Sequence, residues 1–401
     1  MLCRFSFHNF KSYRDETVFD FQAAPIAEFR ESLIRTDKAS DLLPVSVIYG
    51  PNGGGKSNLL HALSCLISTV VYPICELGKN RIPLILQQRV ACRPFVLDGT
   101  SAKKATQFCI YFRTAGAEYR YELSLKQDEV IYEALDRRTL GGKKTAHLFE
   151  RETQKITLGY AIKKKGINTS VNAKMPYLSF LAINYDLPVI AQAQEWFESC
   201  VIRSYAEPMA ERGIMVSDDE DFQRRFITAL NDMDIDITGY RYDDVDHQLY
   251  VQRKIGRKTF ELAFAEESDG TKKLVAALPV MLLALKEGRL LIVDELDAKL
   301  HPKLLKYVVA LFKNPALNTK GAQLLFTSHD VATMKNTVFR RDEIWFAAED
   351  DKHVSKIYSL YDIRSEDHER VKSTAAFDRQ YMEGRYGADP YLQNMIRGNW
   401  E

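Results

Sequence analysis

The stretch Gly50-Pro51-Asn52-Gly53-Gly54-Gly55-Lys56-Ser57 constrains this chain more than any other. It fits the pattern GxxxxGK[ST] and follows the apolar run Val45-Ser46-Val47-Ile48-Tyr49. A strand that ends in such a glycine run and passes directly into a helix presents several backbone N–H groups to one anion. Lys56 adds a compact positive charge and Ser57 a hydroxyl suited to Mg2+, while the helix from Asn58 onward turns its positive end to the same point. The pattern predicts an enzyme that binds a nucleoside triphosphate, with Gly50, Pro51, Asn52, Gly53, Gly54, Gly55, Lys56, Ser57 and Asn58 around the phosphates.

The rest of the composition narrows the class. The chain has 401 residues, enough for two or three domains with proper cores. Its 55 Lys and Arg against 54 Asp and Glu leave a net charge of +1, so no overall field draws it to nucleic acid or to a membrane. Any contact with DNA or RNA needs a local patch. Residues 101–170 offer one candidate, with 14 Lys and Arg against 8 Asp and Glu, interleaved with Tyr111, Tyr119, Tyr121 and Tyr132. A solvated β-surface accounts for that composition equally well. Met1-Leu2-Cys3-Arg4-Phe5 lacks the form of a secretion signal, and the longest apolar run, Leu59 to Ile74, is interrupted by His61 and Ser64. The expectation is a cytoplasmic protein without a membrane span. Cys3, Cys65, Cys75, Cys92, Cys109 and Cys200 form no CxxC pair and no metal-ligand spacing, which suits reduced thiols.

Periodicity divides the chain into three. Residues 1–165 read as a mixed sheet with one major helix: alternation at 2–10 and 17–21, then a hairpin of 107–113 and 119–125 across Gly116, continuing at 129–132. Residues 166–245 read as a helical insert, with helices at 187–200 and 221–230 anchored by Trp196, Phe197 and Phe226. The acidic run Ser217-Asp218-Asp219-Glu220-Asp221 has the character of a helix N-cap. Residues 246–401 open with a hairpin turning at Lys254-Ile255-Gly256-Arg257. Helix 271–286, strand 289–294, helix 300–313, strand 322–327, a helix near 330–336 and strand 343–347 then alternate, which implies parallel strands with crossover helices. The two lobes at either end are expected to form one ATPase unit, the middle segment an insert.

Two of those strands end in chemistry. Leu290-Leu291-Ile292-Val293-Asp294-Glu295 places two carboxylates at the end of an apolar strand, where ligands of parallel sheets sit. Asp294 would hold Mg2+ and Glu295 would polarise the attacking water as general base. They follow the glycine loop by about 240 residues, and no NKxD motif is present, which excludes a compact GTPase. Leu324-Leu325-Phe326-Thr327-Ser328-His329 is a second such strand, with His329 set to sense the terminal phosphate. Glu267-Ser268-Asp269-Gly270-Thr271 opens helix 271–286 with a serine and a glycine, a second phosphate receptor. Asp297 would lie at a subunit boundary, and His301-Pro302 reads as a helix start. Pro279 should bend its helix.

Taken together, the glycine loop, Ser268-x-Gly270-Thr271, Asp294-Glu295, Asp297 and Thr327-Ser328-His329 resemble the ABC-type ATPase heads of the SMC, RecF and OLD-like group. That resemblance implies an α/β fold with a mixed or parallel core sheet, an antiparallel β subdomain and a helical insert. It implies ATP and Mg2+ as ligands. Such heads dimerise face to face, so ATP on Lys56 and Ser57 of one subunit would be closed over by Ser268 and Gly270 of another, in a homodimer or higher oligomer. More narrowly, "FHNFKSYRDETVFDF", "GPNGGGKSNLLHAL", "ESDGTKK", "DELDAKLHPKLL", "FTSHD" and "GRYGADPYL" look like the ATPase subunits of anti-phage systems, the RloA and AbiL types and the AriA subunit of PARIS. Their partners are separate RloB-like or TOPRIM-type effectors. Glu267 stands where transporter ATPases carry leucine and Asp269 where they usually carry glycine, and the roughly 200 residues between the glycine loop and Ser268 lack the heptads of a coiled-coil arm. The glutamine that would complete the Mg2+ shell is one of Gln87, Gln88 and Gln107. A RecF-like DNA repair ATPase and an ATP-stabilised scaffold are the competing expectations.

Overall fold

The protein is described from a computed structural model, over residues 1–77, 90–162, 166–204, 220–243, 248–364 and 368–388. Strands β1 (Leu2–His8) and β2 (Thr17–Asp20) pair as a hairpin; β3 (Val45–Tyr49) then runs through the glycine loop into helix α1 (Lys56–Leu77). A meander follows: β4 (Thr106–Thr114), β5 (Ala117–Lys126), β6 (Glu129–Thr139), β7 (Thr145–Glu152) and β8 (Lys155–Leu158). Helices α2 (Tyr177–Asn184) and α3 (Pro188–Ser199) lead to β9 (Val201–Ser204), and α4 (Glu220–Asp232) leads to β10 (Gly239–Asp243), β11 (Gln248–Ile255) and β12 (Lys258–Ala263). The last third carries α5 (Asp269–Glu287), β13 (Leu290–Asp294), α6 (Pro302–Lys313), β14 (Gln323–Thr327), β15 (Ile344–Glu349), β16 (Ser355–Ser359) and α7 (Phe377–Met382).

Three sheets result. The meander joins the first hairpin in a seven-stranded antiparallel sheet of order β2-β1-β4-β5-β6-β7-β8, and β10, β11 and β12 make a small antiparallel sheet of their own. The core sheet has the order β16-β15-β3-β14-β13-β9, parallel except for β16. The fold is therefore mixed α/β, as expected. The strands of 1–165 do not form one mixed sheet, however: β3 leaves the others and enters the core sheet between β14 and β15. The segment expected to be helical supplies β9, the edge of that sheet.

Burial patterns explain the division. β3 and β14 are buried at every position, and β13 at four of five, as strands covered on both faces must be. β5 alternates instead: Ala117, Tyr119, Tyr121 and Leu123 point inward while Glu118, Arg120 and Glu122 stay partly exposed. Helix α1 lies between the antiparallel sheet and one face of the core sheet, packing Leu59, Leu63, Leu66, Ile67 and Val70 in one cluster with Ile48, Ile292 and Leu325. Each such side chain contributes about 1.5–3 kcal/mol by leaving water. Val47, Tyr49, Val293 and Phe326 face the other way, onto α5 and α6. Trp196, Phe197 and Phe226 are buried anchors, Trp196 stacking on Phe112 with ring centroids 4.2 Å apart.

Two expectations need correction. The helix near 330–336 is a single 3-10 turn, Val331–Thr333, in a stretch whose β-branched residues gain little from helix formation. His61 and Ser64 do not interrupt α1 as an apolar element. Among the described residues one stretch, Lys56–Cys75, is long and apolar enough to cross a bilayer, and 67% of its apolar window is buried inside the protein. Pro279 sits in α5, which runs on to Glu287 and stops at the left-handed Gly288.

Candidate nucleotide site

The carboxyl tips of β3, β14 and β13 lie side by side in the core sheet, so the three polar endings converge. A pocket of about 190 Å3 forms there, lined by Pro51, Asn52, Gly53, Gly55, Lys56, Ser57, Asn58, Glu295 and His329. Sequence positions more than 230 residues apart thus meet at one point.

Protein walls as well as phosphate chemistry require the glycines. Gly50 and Gly55 have φ of +145° and +105°, and a Cβ on them would come 2.1 Å from the Ala347 carbonyl oxygen and 2.4 Å from Ser355 Oγ. The loop is braced from below by the segment after β1. Tyr13 donates its hydroxyl to the Gly55 carbonyl at 3.2 Å, and Ser12 Oγ accepts from both Asn58 Nδ2 and Ser355 Oγ at 2.8 Å. Lys56 lies back over the loop, its Nζ donating to the Gly50 and Pro51 carbonyls at 2.8 and 3.0 Å. Burial holds its pKa below the ordinary lysine value, against the opposing pull of Asp294, Glu295 and Asp297.

Asp294 is shared by two hydroxyls. Its Oδ1 accepts from Ser57 Oγ at 3.1 Å and from Thr327 Oγ1 at 2.6 Å. A hydroxyl and a carboxylate brought together in this way suit a hard, oxygen-seeking cation, so Ser57 and Asp294 fit a Mg2+ accompanying a triphosphate. Gln107 lies exposed on β4, away from these groups; Gln87 and Gln88 lie outside the described residues. Next to Asp294, Glu295 holds φ +50°, and its N–H donates to Thr327 Oγ1 at 2.7 Å. The His329 N–H donates to Asp297 Oδ2 at 2.9 Å, which ties the tip of β14 to the turn after β13.

Asp294 and Asp297 are held beside this pocket through Ser57 and His329, whereas Ser268 and Gly270 do not line it. Ser268 is exposed and caps α5, its Oγ accepting from the Thr271 N–H at 3.2 Å. Glu267 is buried and pairs with Arg253 of β11, which accounts for a charged residue at a place where leucine would need no partner. His301 caps α6, accepting at Nδ1 from the Lys303 N–H, a structural role as expected. In the acidic run before α4, Glu220 and Asp221 open the helix; Ser217 to Asp219 lie outside the described residues.

Some residues of the site gave no signal as motifs. Lys11 Nζ sits 2.7 Å from His61 Nδ1, one turn into α1, and burial lowers the pKa of both groups within electrostatic reach of Asp294. Only the periodic break after Phe10 hinted at that loop. Of the cations of 101–170, by contrast, four arginines are paired within the antiparallel sheet. Arg113 and Arg138 both pair with Glu118, Arg120 pairs with Glu122 and Asp136, and buried Arg151 faces Glu133 at 3.8 Å. A wider apolar groove of about 640 Å3, lined in part by Leu282, Leu285, Tyr307 and Leu311, contains none of the motif residues.

A glycine loop on one parallel strand, an Asp-Glu tip two strands away and a Thr-Ser-His tip between them define a P-loop ATPase domain. The chain belongs to the AAA_21 family, described as "AAA domain, putative AbiEii toxin, Type IV TA system", whose model matches residues 45–335. Among solved structures it is similar to an SMC head domain from Thermotoga maritima, at 16% identity and a TM-score of 0.42 over 89% of this chain and 98% of that one. It is similar as well to an SMC head bound to the C-winged helix domain of ScpA, at 16% identity and a TM-score of 0.41 over 89% and 97%. No curated protein matches the chain.

Proposed function

We propose that this protein is a cytoplasmic Mg2+-dependent ATPase that assembles around ATP, as a homodimer or larger oligomer, and controls a separate effector in defence against phage. The single observation that carries the reading is the division of the motif residues. Lys56, Ser57, Asp294, Glu295 and His329 surround one pocket, while Ser268 opens an exposed helix end outside it. A phosphate receptor that does not line its own chain's pocket is suited to a nucleotide held by a second copy.

In this reading the loop amides and Lys56 hold the phosphates, Ser57 and Asp294 hold the cation, Glu295 takes the proton of the attacking water, and His329 contacts the terminal phosphate. A Mg2+ held by Ser57 and Asp294 would supply charge to offset that of the phosphates. Ser268 and Gly270 act in trans, with Asp297 at the boundary between subunits. The two lobes, 1–165 and 246–401, would work as one ATPase unit and 166–245 as its insert. The defence role follows from the resemblance to anti-phage ATPase subunits, and the family's description in terms of toxin–antitoxin systems supports it. The effector would be a toxin or nuclease-like protein of RloB or TOPRIM type.

Light scattering on Glu295→Gln protein with and without Mg2+-ATP tests this. An ATP-dependent doubling of mass or more is expected. Unchanged monomer mass with ATP demonstrably bound would overturn the trans role of Ser268 and Gly270.

A further inference from the structure

Lys273, five positions past Ser268 on α5, is buried to 2% exposure. Among the described residues it makes no ion pair. Its Nζ donates instead to two backbone carbonyls, those of Glu295 at 2.7 Å and Ala298 at 2.8 Å. Lys313, another buried lysine, pairs with the Glu343 carboxylate at 2.7 Å. Withdrawing an ammonium from water without a carboxylate partner is costly, and burial lowers the pKa of Lys273 to about 8. A leucine or methionine would fill the same position on the helix without that cost.

The two bonds hold the turn that follows β13. Glu295 is left-handed at φ +50° and Lys299 at φ +62°, conformations that residues with a side chain keep only when their surroundings enforce them. Within the turn, the Ala298 N–H donates to the Glu295 carbonyl at 3.1 Å and the Leu300 N–H to that of Asp297 at 2.9 Å. A second tie runs from Lys299 Nζ to Asp269 Oδ2 at 2.9 Å, so the first turns of α5 grip the segment at two points. Glu295 lines the nucleotide pocket, and its carbonyl accepts from Lys273.

We infer that Lys273 is a positioning residue for hydrolysis: rooted on the helix that begins at Ser268 and Gly270, it fixes the turn that aims Glu295. The placement of the base in one subunit then depends on the placement of α5 in the same subunit. Because Ser268 heads that helix, a nucleotide carried by a second copy acts on the rigid element that holds this copy's Glu295. The two composite sites of an assembly are coupled through one ammonium. This inference rests on the roles proposed above for Glu295 and Ser268.

The test uses the full chain with Lys273→Met, Lys273→Arg, Glu295→Gln and the Glu295→Gln/Lys273→Met double variant. Single-turnover hydrolysis, KM for ATP, nucleotide-dependent mass and thermal unfolding are measured on each. Lys273→Met is expected to lower the single-turnover rate by about tenfold or more with KM within about twofold, the signature of an interaction that serves the chemical step. Lys273→Arg should recover most of the rate, and Lys273→Met should cost nothing further in the Glu295→Gln background. Equal loss of KM and rate, an additive loss in the double variant, or unfolding of both Lys273 variants would overturn the inference. Full activity of Glu295→Gln would instead remove the proposed base, a separate failure that the same data distinguish.

Discussion

Helices α1 and α5 both begin beside a serine and a glycine, and the protein builds the two ends in opposite ways. The start of α1 is enclosed. Lys56 is buried, Gly50 and Gly55 press against Ala347 and Ser355, and Ser12, Tyr13 and Asn58 brace the loop from beneath. The start of α5 is open. Ser268 is exposed and satisfied by its own Thr271, and what anchors this end lies to the side, through Arg253–Glu267 and Lys299–Asp269. In the function proposed above, the enclosed end is a receptor finished by its own chain and the open end, with its fixed flanks, is half of one.

Five experiments can break or sharpen that contrast. The largest effect is expected from Glu295→Gln, which should reduce turnover by about 10²–10⁴-fold while leaving ATP binding intact, as read by phosphate release and nucleotide titration. A parallel loss of binding would mean that Glu295 belongs to the receptor and not to the chemistry. Next, Lys56→Ala should weaken ATP binding by about 1.5–3 kcal/mol, the worth of a charge-assisted hydrogen bond. Gly55→Ala should cost stability even without nucleotide, by about 1–3 kcal/mol, because its Cβ meets Ser355 and its φ is unsuited to alanine. A Gly55→Ala protein with unchanged melting temperature would show the loop to be less enclosed than described.

The remaining two act on the open end. Arg253→Ala leaves the Glu267 carboxylate buried without its partner and should lower stability by about 1–2 kcal/mol in chemical denaturation, the part-exposed arginine giving less than a fully buried pair. Ser268→Ala should cost about 1 kcal/mol for the lost cap, leave ATP affinity of the single chain unchanged and impair nucleotide-dependent assembly. If the single chain's affinity falls too, both helix ends serve one nucleotide and the contrast collapses.

The enclosed end could be read almost entirely from the sequence, because its parts are local. A glycine run after an apolar strand, and carboxylates or Thr-Ser-His at the tips of two others, declare themselves within eight residues each. The braces do not. Ser12 meets Ser355 across 343 positions, and Arg253 finds Glu267 only through a three-stranded sheet that no periodicity near Ser268 announces. Lys273 gave no signal in the sequence, since nothing in its neighbours shows that its side chain ends among carbonyls. β9 escaped because four residues after a helix carry too little alternation to be told from a loop. The split of the N-terminal strands escaped for another reason: β3 pairs only with strands from the last quarter of the chain.

That pairing has a consequence for the protein's manufacture. The loop-bearing strand leaves the ribosome early, but its neighbours β14 and β15 end at Thr327 and Glu349. At about 5–20 residues per second, roughly 15–60 s of synthesis separate the glycine loop from the strands that flank it. For that interval the antiparallel meander can form, and β3 has no sheet to join. A polypeptide released before β14 therefore lacks both strands that flank β3, and with them the His329 side of its nucleotide pocket.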